Sequence, residues 1–545
     1  MTVFMQRTFL LLFFLPLLFS CQEKKTVIGS WDMSPRIRNV SPEEGAFPLQ
    51  RNTVIMADAS LQDAAVLLQE LLEPLAGKKL PLKQGRHAIV LTLDPTLGEG
   101  MDEFRQQECY ALSVTPRRIE LRAATPLGAF RGVQTLLKAL PAALGEEQLP
   151  AFPGGTVFDY PEFAYRAFLL DCGRHYFPLP VIKRVIDILA AHQLNAFHWH
   201  LSEDQGWRLE IKQYPRLTEV GSIRAGSPLP GGEGHDGVPV SGFYTQDEAR
   251  EIVAYAAARG MEVIPEIDLP GHMQAALASY PQLGCTGGPY EVACQYGVLD
   301  DVLCAGKEET LQFVFDVLDE VMDIFPSRYI HLGGDECPKL RWESCPRCQA
   351  KIRGLGLRPS GTQSAEELLQ SWFMDQALAH VESKGRRAIA WNDVLVDWSN
   401  TVIGAPSTRT VMAAWMRPVS TEIAIREGYD AIFCPVGHLY LSARDGNALK
   451  GEAYLRRVFD APLPSLPATR KQQLLGVEAC IWTERVDTEE LLQWELLPRL
   501  ALVSDLQWED PAQHSFEDML PRLQRMEAFY TARGWQWNAA LPDQD

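Results

Sequence analysis

The sequence predicts an α/β protein, a (β/α)8 TIM barrel preceded by a small α+β domain. Three observations predict it. Eight short apolar segments recur from residue 163 onward, amphipathic helical patterns separate most of them, and polar or aromatic residues close nearly every one. Short apolar strands alternating with helices make a parallel sheet, and eight of them close it into a barrel. At 545 residues the chain is too long for one ordinary core, so an accessory domain is expected beside the barrel. The composition, 46% hydrophobic and 22% charged, is that of a globular protein. The net charge of −19 excludes nucleic acid as an expected partner, because phosphate backbones attract the opposite balance.

The elements follow in order. Arg7 precedes the apolar run Phe9 to Phe19, which ends at Ser20-Cys21. This is a signal peptide over residues 1–21, its apolar part too short to serve as a mature spanning helix. Leu18-Phe19-Ser20-Cys21 resembles a bacterial lipobox, with Phe19 where a small residue is usual. The expectation is an exported protein held on a membrane through lipidated Cys21, in the periplasm or at the cell surface. The alternative is an ordinary signal peptide with a chance cysteine. Residues 22–35 are polar and read as a tether. Residues 36–155 form the small domain, with helices over Leu61–Leu75 and Thr125–Leu140 and strands over His87–Leu93 and Tyr110–Leu121. Pro153-Gly-Gly155 and Asp159-Tyr-Pro161 mark its end.

The barrel covers residues 160–510, and a C-terminal helix within 511–545 packs on it. Its expected strands are Ala167–Asp171, Ala196–Leu201, Glu262–Ile267, Tyr329–Gly333, Ala388–Trp391, Val411–Trp415, Ala431–Cys434 and Gly476–Trp482. Leu179–His192, Gln246–Arg259, Glu308–Phe325 and Ala365–Ser383 read as helices between them. The long Pro-rich interval before the eighth strand predicts a loop excursion.

Of the 11 cysteines, Cys285, Cys294 and Cys304 share one Gly-rich loop region and Cys337, Cys345 and Cys348 another. Cys345-Pro-Arg-Cys348 has the spacing of half a zinc ribbon or of a redox pair, but no second such pair completes it. Loop disulfides, which export permits, or free thiols are therefore expected.

Barrel chemistry belongs at the C-terminal ends of the strands. The residues there are Asp171-Cys-Gly-Arg174, His198-Trp-His200 with Asp204, Glu266 with Asp268 and His272, His331 with Asp335-Glu336, Trp391-Asn-Asp393, Trp415, and Trp482-Thr-Glu484. The strongest signal is an apolar strand end followed by Gly333-Gly334 and two adjacent acids, Asp335 and Glu336. Neighbouring residues there point in different directions, so two acids can do different work. Carboxylates sharing a cleft push each other's pKa apart.

These motifs together resemble glycoside hydrolase family 20, the β-hexosaminidases. The resemblance rests on His-Leu-Gly-Gly-Asp-Glu at 331–336, supported by Asp171-Cys-Gly-Arg174, His198 to Trp207, Pro265 to His272 and Trp482-Thr-Glu484, in order and at barrel spacing. It spans residues 40 to 510. It implies an exo-acting, retaining enzyme that removes terminal β-linked GlcNAc or GalNAc, with the substrate's acetamido group as nucleophile and an oxazolinium intermediate. Glu336 would protonate the leaving oxygen and then activate water. Asp335 would hold the acetamido N–H and Tyr440 its oxygen. Trp391, Trp415 and Trp482 would wall the N-acetyl pocket. Arg174 and Glu484 would bind ring hydroxyls, and His272 with Asp204 would support Glu336. Glu336 needs a raised pKa, which burial beside Asp335 would give. No cofactor and no metal are implied. The natural glycan, the oligomeric state and the choice between GlcNAc and GalNAc stay open.

One position departs from the family pattern. The tyrosine is typically followed two residues on by an Asp that contacts the C6 hydroxyl, whereas here the sequence is Tyr440-Leu-Ser442 with Arg444 nearby. Ser442 would not repel an anion, so tolerance of a 6-O-sulfate is one reading and a weaker hydrogen bond the other. Two rival functions remain. His198, His200, His272, His331 and Asp335 resemble the ligand set of a barrel zinc hydrolase, and a barrel with the same pocket would capture amino sugars without cutting them.

Overall fold

The computed structural model describes residues 25–145, 147–229, 234–361, 363–442 and 451–539. The signal peptide, Cys21 and Arg444 lie outside the described residues. Among those described, no helix is long and apolar enough to cross a membrane.

The small domain is built on a seven-stranded sheet of Lys25–Ile28, Asn39–Pro48, Val54–Ala57, Ala88–Leu93, Tyr110–Val114, Arg118–Ala123 and Gln148–Asp159. Helices Gln62–Ala76 and Pro126–Ala139 close its core with Leu68, Leu121, Val133 and Phe152. Three sequence readings are corrected here. From Lys25 the chain is not a tether, because Lys25–Ile28 pairs in parallel with Gln148–Ala151 and Trp31 and Met33 are buried. Widely spaced apolar residues read as solvated chain, yet Trp31, Met33 and Ile37 are buried while Ile28 stays exposed. Tyr110–Leu121 is a hairpin, turned at Pro116 and Arg117, where Thr115 N donates to Arg118 O at 2.9 Å. Pro153-Gly-Gly155 lies inside the last strand, where a Cβ on Gly155 would meet Ser41 O at 2.6 Å. That glycine serves the close approach of a neighbouring strand, and the turn it suggested is absent.

The barrel is closed by eight parallel strands: β1 (Tyr165–Asp171), β2 (Ala196–His200), β3 (Glu262–Glu266), β4 (Tyr329–His331), β5 (Arg387–Trp391), β6 (Val411–Ala414), β7 (Asp430–Phe433) and β8 (Leu474–Ile481). Alternate residues fill the interior, including Ala167, Leu169, Ile264, Ile389, Ala413 and Ile432. Phe168, Leu170, Phe197 and Trp199 join the outer layer under the helices. Burial on both faces makes these strands continuous apolar runs. The interval between β7 and β8 carries helices Val436–Leu439 and Gly451–Phe459.

Glu108 of the small domain joins Arg131 (Nε to Oε2, 2.7 Å) and barrel residue Arg166 (Nη1 to Oε1, 3.0 Å). Arg131 also donates to the barrel carbonyls of Leu194 at 3.0 Å and Gly260 at 2.7 Å. Helix Phe516–Ala532 buries Met519, Leu523 and Phe529 against the barrel layer, and the Tyr530 hydroxyl lies 2.7 Å from His192 Nε2.

Candidate active site

β4 runs into Gly333 and Gly334, which take φ of 61° and 104°. A Cβ on Gly333 would fall 1.6 Å from Asp268 Oδ1, and Gly334 N donates to that oxygen at 3.0 Å. Only glycine fits so close to the end of β3, and the turn it allows carries Asp335 and Glu336 over the barrel mouth. Glu336 and His272 themselves hold positive φ, 43° and 50°, a conformation non-glycine residues keep where the surroundings enforce it.

The two acids line a cavity of about 380 Å³ shared with Arg174, His272, Tyr296, Trp415, Tyr440, Ser442, Trp482 and Glu484. Of the residues singled out in the sequence, Asp204 and Trp391 stand behind this lining. Asp204 Oδ2 lies 3.1 Å from His272 Nδ1. Trp391 is buried and donates Nε1 to Glu266 Oε1 at 2.8 Å, its ring 6.0 Å from that of Trp482. Trp415 and Tyr440 stand nearly parallel at 6.1 Å, and Trp482 is 6.0 Å from Tyr440, so three aromatic faces enclose one end of the cavity. Asp171 orients Arg174 by accepting from Gly173 N at 2.8 Å and Arg174 N at 3.1 Å. The guanidinium lies 2.7 Å from Glu203 and 5.0 Å from the Trp482 ring.

Two participants escaped the sequence reading. Glu203 Oε2 lies 3.2 Å from His272 Nδ1, so both neighbouring acids, 203 and 204, serve the same imidazole. Asp393 accepts Glu336 N at 3.2 Å on one oxygen and Trp415 Nε1 at 2.7 Å on the other, linking the acid to the aromatic wall. Both sat within the strand-end clusters, but spacing alone does not tell which of several acids faces inward.

The electrostatics reverse one expectation. Burial raises Asp335 to about 6, against the pull of His272. Burial and then the Asp335 charge raise Asp393 to about 8. Glu336 is held below its ordinary range, chiefly by His272, whose Nε2 faces Oε2 at 3.6 Å. Burial disfavours charge on His272, but Glu203 and Asp204 keep its pKa well above the usual imidazole value. The raised carboxyl of the pair is therefore Asp335: His272 Nε2 stands almost as near to it, at 3.8 Å, but Asp335 is the more deeply buried of the two.

His198, His200 and His331 converge on Glu266, at 3.1, 2.5 and 2.9 Å. All four are buried and none lines the cavity, so this cluster does not meet a molecule bound there. A second cleft of about 320 Å³ shares Glu336 and Val298 with the first and is flanked by Trp398, whose ring stands edge-on to Trp415 at 5.1 Å.

Adjacent acids, an aromatic cage and polar anchors meet at the C-terminal mouth of the (β/α)8 barrel, where barrel enzymes carry their chemistry. Glycosyl hydrolase family 20, catalytic domain, matches residues 163–511, and its domain 2 matches residues 32–160. The β-hexosaminidase of Porphyromonas gingivalis is 38% identical over 94% of this chain, which spans 64% of that protein's length. The β-N-acetylhexosaminidase structure from Bacteroides fragilis has a TM-score of 0.78 and 32% identity, covering 93% of this chain and 97% of its own. A mutant Streptomyces plicatus β-hexosaminidase in complex with the product GlcNAc has a TM-score of 0.79 and 29% identity, covering 96% and 100%. The chain belongs to glycosyl hydrolase family 20.

Proposed function

We propose that the chain is an exo-acting, retaining β-N-acetylhexosaminidase that releases terminal β-linked GlcNAc or GalNAc by substrate-assisted catalysis. The observation that carries this reading is the cage of Trp415, Tyr440 and Trp482 facing Asp335, with Glu336 at the junction of two clefts. The terminal sugar occupies the caged cavity and the leaving group the second cleft. The cage holds the acetamido group so that its oxygen attacks the anomeric carbon, which gives an intramolecular nucleophile a large effective concentration. Families of this kind need no enzyme nucleophile, because the substrate supplies it. Asp335 accepts the acetamido N–H and offsets the charge of the oxazolinium ion. Glu336, ionised at rest, takes up a proton when the sugar covers it and removes its water. It gives that proton to the leaving oxygen as the glycosidic bond breaks, then accepts one from the water that opens the oxazolinium ring. The imidazolium of His272 stabilises the carboxylate left after the first transfer.

The test is hydrolysis of an aryl β-N-acetylglucosaminide and of the matching aryl β-glucoside, with and without brief exposure to EDTA. Turnover of the first alone, unchanged by EDTA, is expected. Loss of activity with chelator alone would favour the metal-hydrolase reading, and tight binding without turnover the sugar-capturing barrel.

Ser442 lines the sugar cavity where the family pattern has an anion, which supports tolerance of a 6-O-sulfated GlcNAc. Absence of turnover of a 6-sulfated aryl N-acetylglucosaminide rejects it. Export and anchoring through Cys21 rest on the run Phe9 to Cys21. Incorporation of labelled palmitate, lost in Cys21→Ala, checks them.

A further inference from the structure

Four cysteines that the sequence scatters over two loops meet at one point. Cys285 and Cys304 belong to the loop after β3, Cys345 and Cys348 to the loop after β4. Their sulfurs all lie within 4.8 Å of one another, with Cys285–Cys348 at 3.8 Å, Cys304–Cys345 at 3.8 Å and Cys304–Cys348 at 3.6 Å. Zinc binds thiolates at about 2.3 Å in a tetrahedron, which puts neighbouring sulfurs about 3.8 Å apart. The cluster therefore already has the edge length of a tetrathiolate site. No disulfide occurs among the described cysteines.

The backbone is arranged to present these sulfurs. The Gly284–Leu303 bridge, with Cys304 N donating to Leu283 O at 2.9 Å, sets Cys285 and Cys304 side by side. Cys345 is the N-cap of helix Pro346–Leu355, so the Cys345-Pro-Arg-Cys348 pair sits at the end of the helix that favours negative charge. The loops touch directly there, since a Cβ on Gly306 would lie 2.3 Å from the Arg347 carbonyl carbon. Lys307 Nζ, donating to Gly284 O at 2.9 Å, adds a cation beside the cluster.

We propose that Cys285, Cys304, Cys345 and Cys348 bind one zinc ion as a closed tetrathiolate that clamps the loop after β3 to the loop after β4. Soft ligands in tetrahedral array select zinc, and four protein ligands leave no open position for a reacting water. The clamp acts through what the loops carry. Tyr296 and Val298, which line the sugar cavity, lie between Cys285 and Cys304, and the other loop bears Asp335 and Glu336. The ion thus fixes one wall of the pocket against the acid without touching substrate. Sequence spacing missed the site because half of its ligands are single cysteines from another loop.

The full chain, purified without added metal, is analysed by plasma mass spectrometry. One zinc per chain is expected, released in step with titration of the thiols by a mercurial reagent. Growth with cobalt gives the intense visible bands of a tetrahedral cobalt–thiolate centre, a readout that needs no variant. Cys285→Ser and Cys348→Ser lose most of the zinc, are cleaved faster by protease between residues 285 and 304, and show a KM raised several-fold with a smaller change in kcat. Metal-free wild type, whether its four cysteines are free or joined in disulfides, overturns the proposal, as does stoichiometric iron in place of zinc.

Discussion

Two buried groups of carboxylates in this chain differ in how their charge is answered. At the seam between the small domain and the barrel, burial would raise Glu108, but Arg166 and Arg131 overcome it and hold the acid at about 2. At the barrel mouth, Asp335, Glu336, Asp393, Glu203 and Asp204 lie close together with His272 and Arg174 as the nearby cations, and burial wins at Asp335 and Asp393. At the seam the carboxylate is answered in full by two guanidiniums of the protein itself. The mouth keeps an excess of negative charge that a positive transition state would offset, and an oxazolinium ion has that charge. Stability is concentrated in the first cluster and function in the second, so substitutions in the two should fail in different assays.

The largest expected effect is on rate. Glu336→Gln removes the proton donor and lowers kcat by roughly 10²–10⁴-fold, the usual worth of general acid–base catalysis. Asp335→Asn removes the charge facing the acetamido group and costs about 10²–10³-fold, as loss of one preorganised electrostatic contact does. Both variants should keep cooperative unfolding. A rate within tenfold of wild type in either would break the contrast between the clusters.

Glu108→Ala should do the reverse. It leaves Arg131 and Arg166 buried without their shared carboxylate, at a cost of about 3–5 kcal/mol, with activity per folded molecule unchanged. The sign with pH follows from the depressed value. An acid at about 2 in the folded chain and near 4.5 when unfolded contributes stability above pH 4.5 that is lost as pH falls toward 2. Denaturant titrations at pH 5 and pH 3 should converge for wild type and variant at the acid end.

Asp335→Asn gives a third, smaller signal in the opposite direction. Its folded pKa of about 6 lies above the unfolded 3.8, so stability is lost progressively as pH rises from 3.8 to about 6 and stays lost above it. At about 1.4 kcal/mol per pKa unit, the Asn variant should gain about 1–3 kcal/mol at pH 7 and nothing below pH 3.8. A variant that is inactive and yet has a higher Tm at neutral pH would identify the mouth as a place where stability is given up for function.

Which parts were legible in the sequence follows from the same physics. Barrel strands are buried on both faces, so they read as uninterrupted apolar runs, and the strand ends stand out because polar residues there have no packing role. Lys25–Ile28 was missed because an edge strand is only half covered. The hairpin was missed because apolar residues alternate on both sides of it, at 110, 112 and 114 and again at 119 and 121, with no glycine in the turn between them. The protonation order of Asp335 and Glu336 depends on how deeply each is buried around His272, and the Cys285–Cys348 contact on how two loops pack; neither is written in local spacing.

The finest comparison lies within the mouth. Glu336 is the depressed acid, and His272 is the first cause. His272→Gln removes that imidazolium and leaves Asp204 without its cation, while Glu203 keeps Arg174 at 2.7 Å, and both losses favour the protonated form of Glu336. The basic limb of the kcat/KM profile, which reports loss of the proton from the free enzyme's acid, should move to higher pH. A merely structural histidine would lower the rate across the profile without moving that limb. A limb that stays fixed while kcat/KM falls uniformly would remove His272 from the control of Glu336 and leave burial alone to set it.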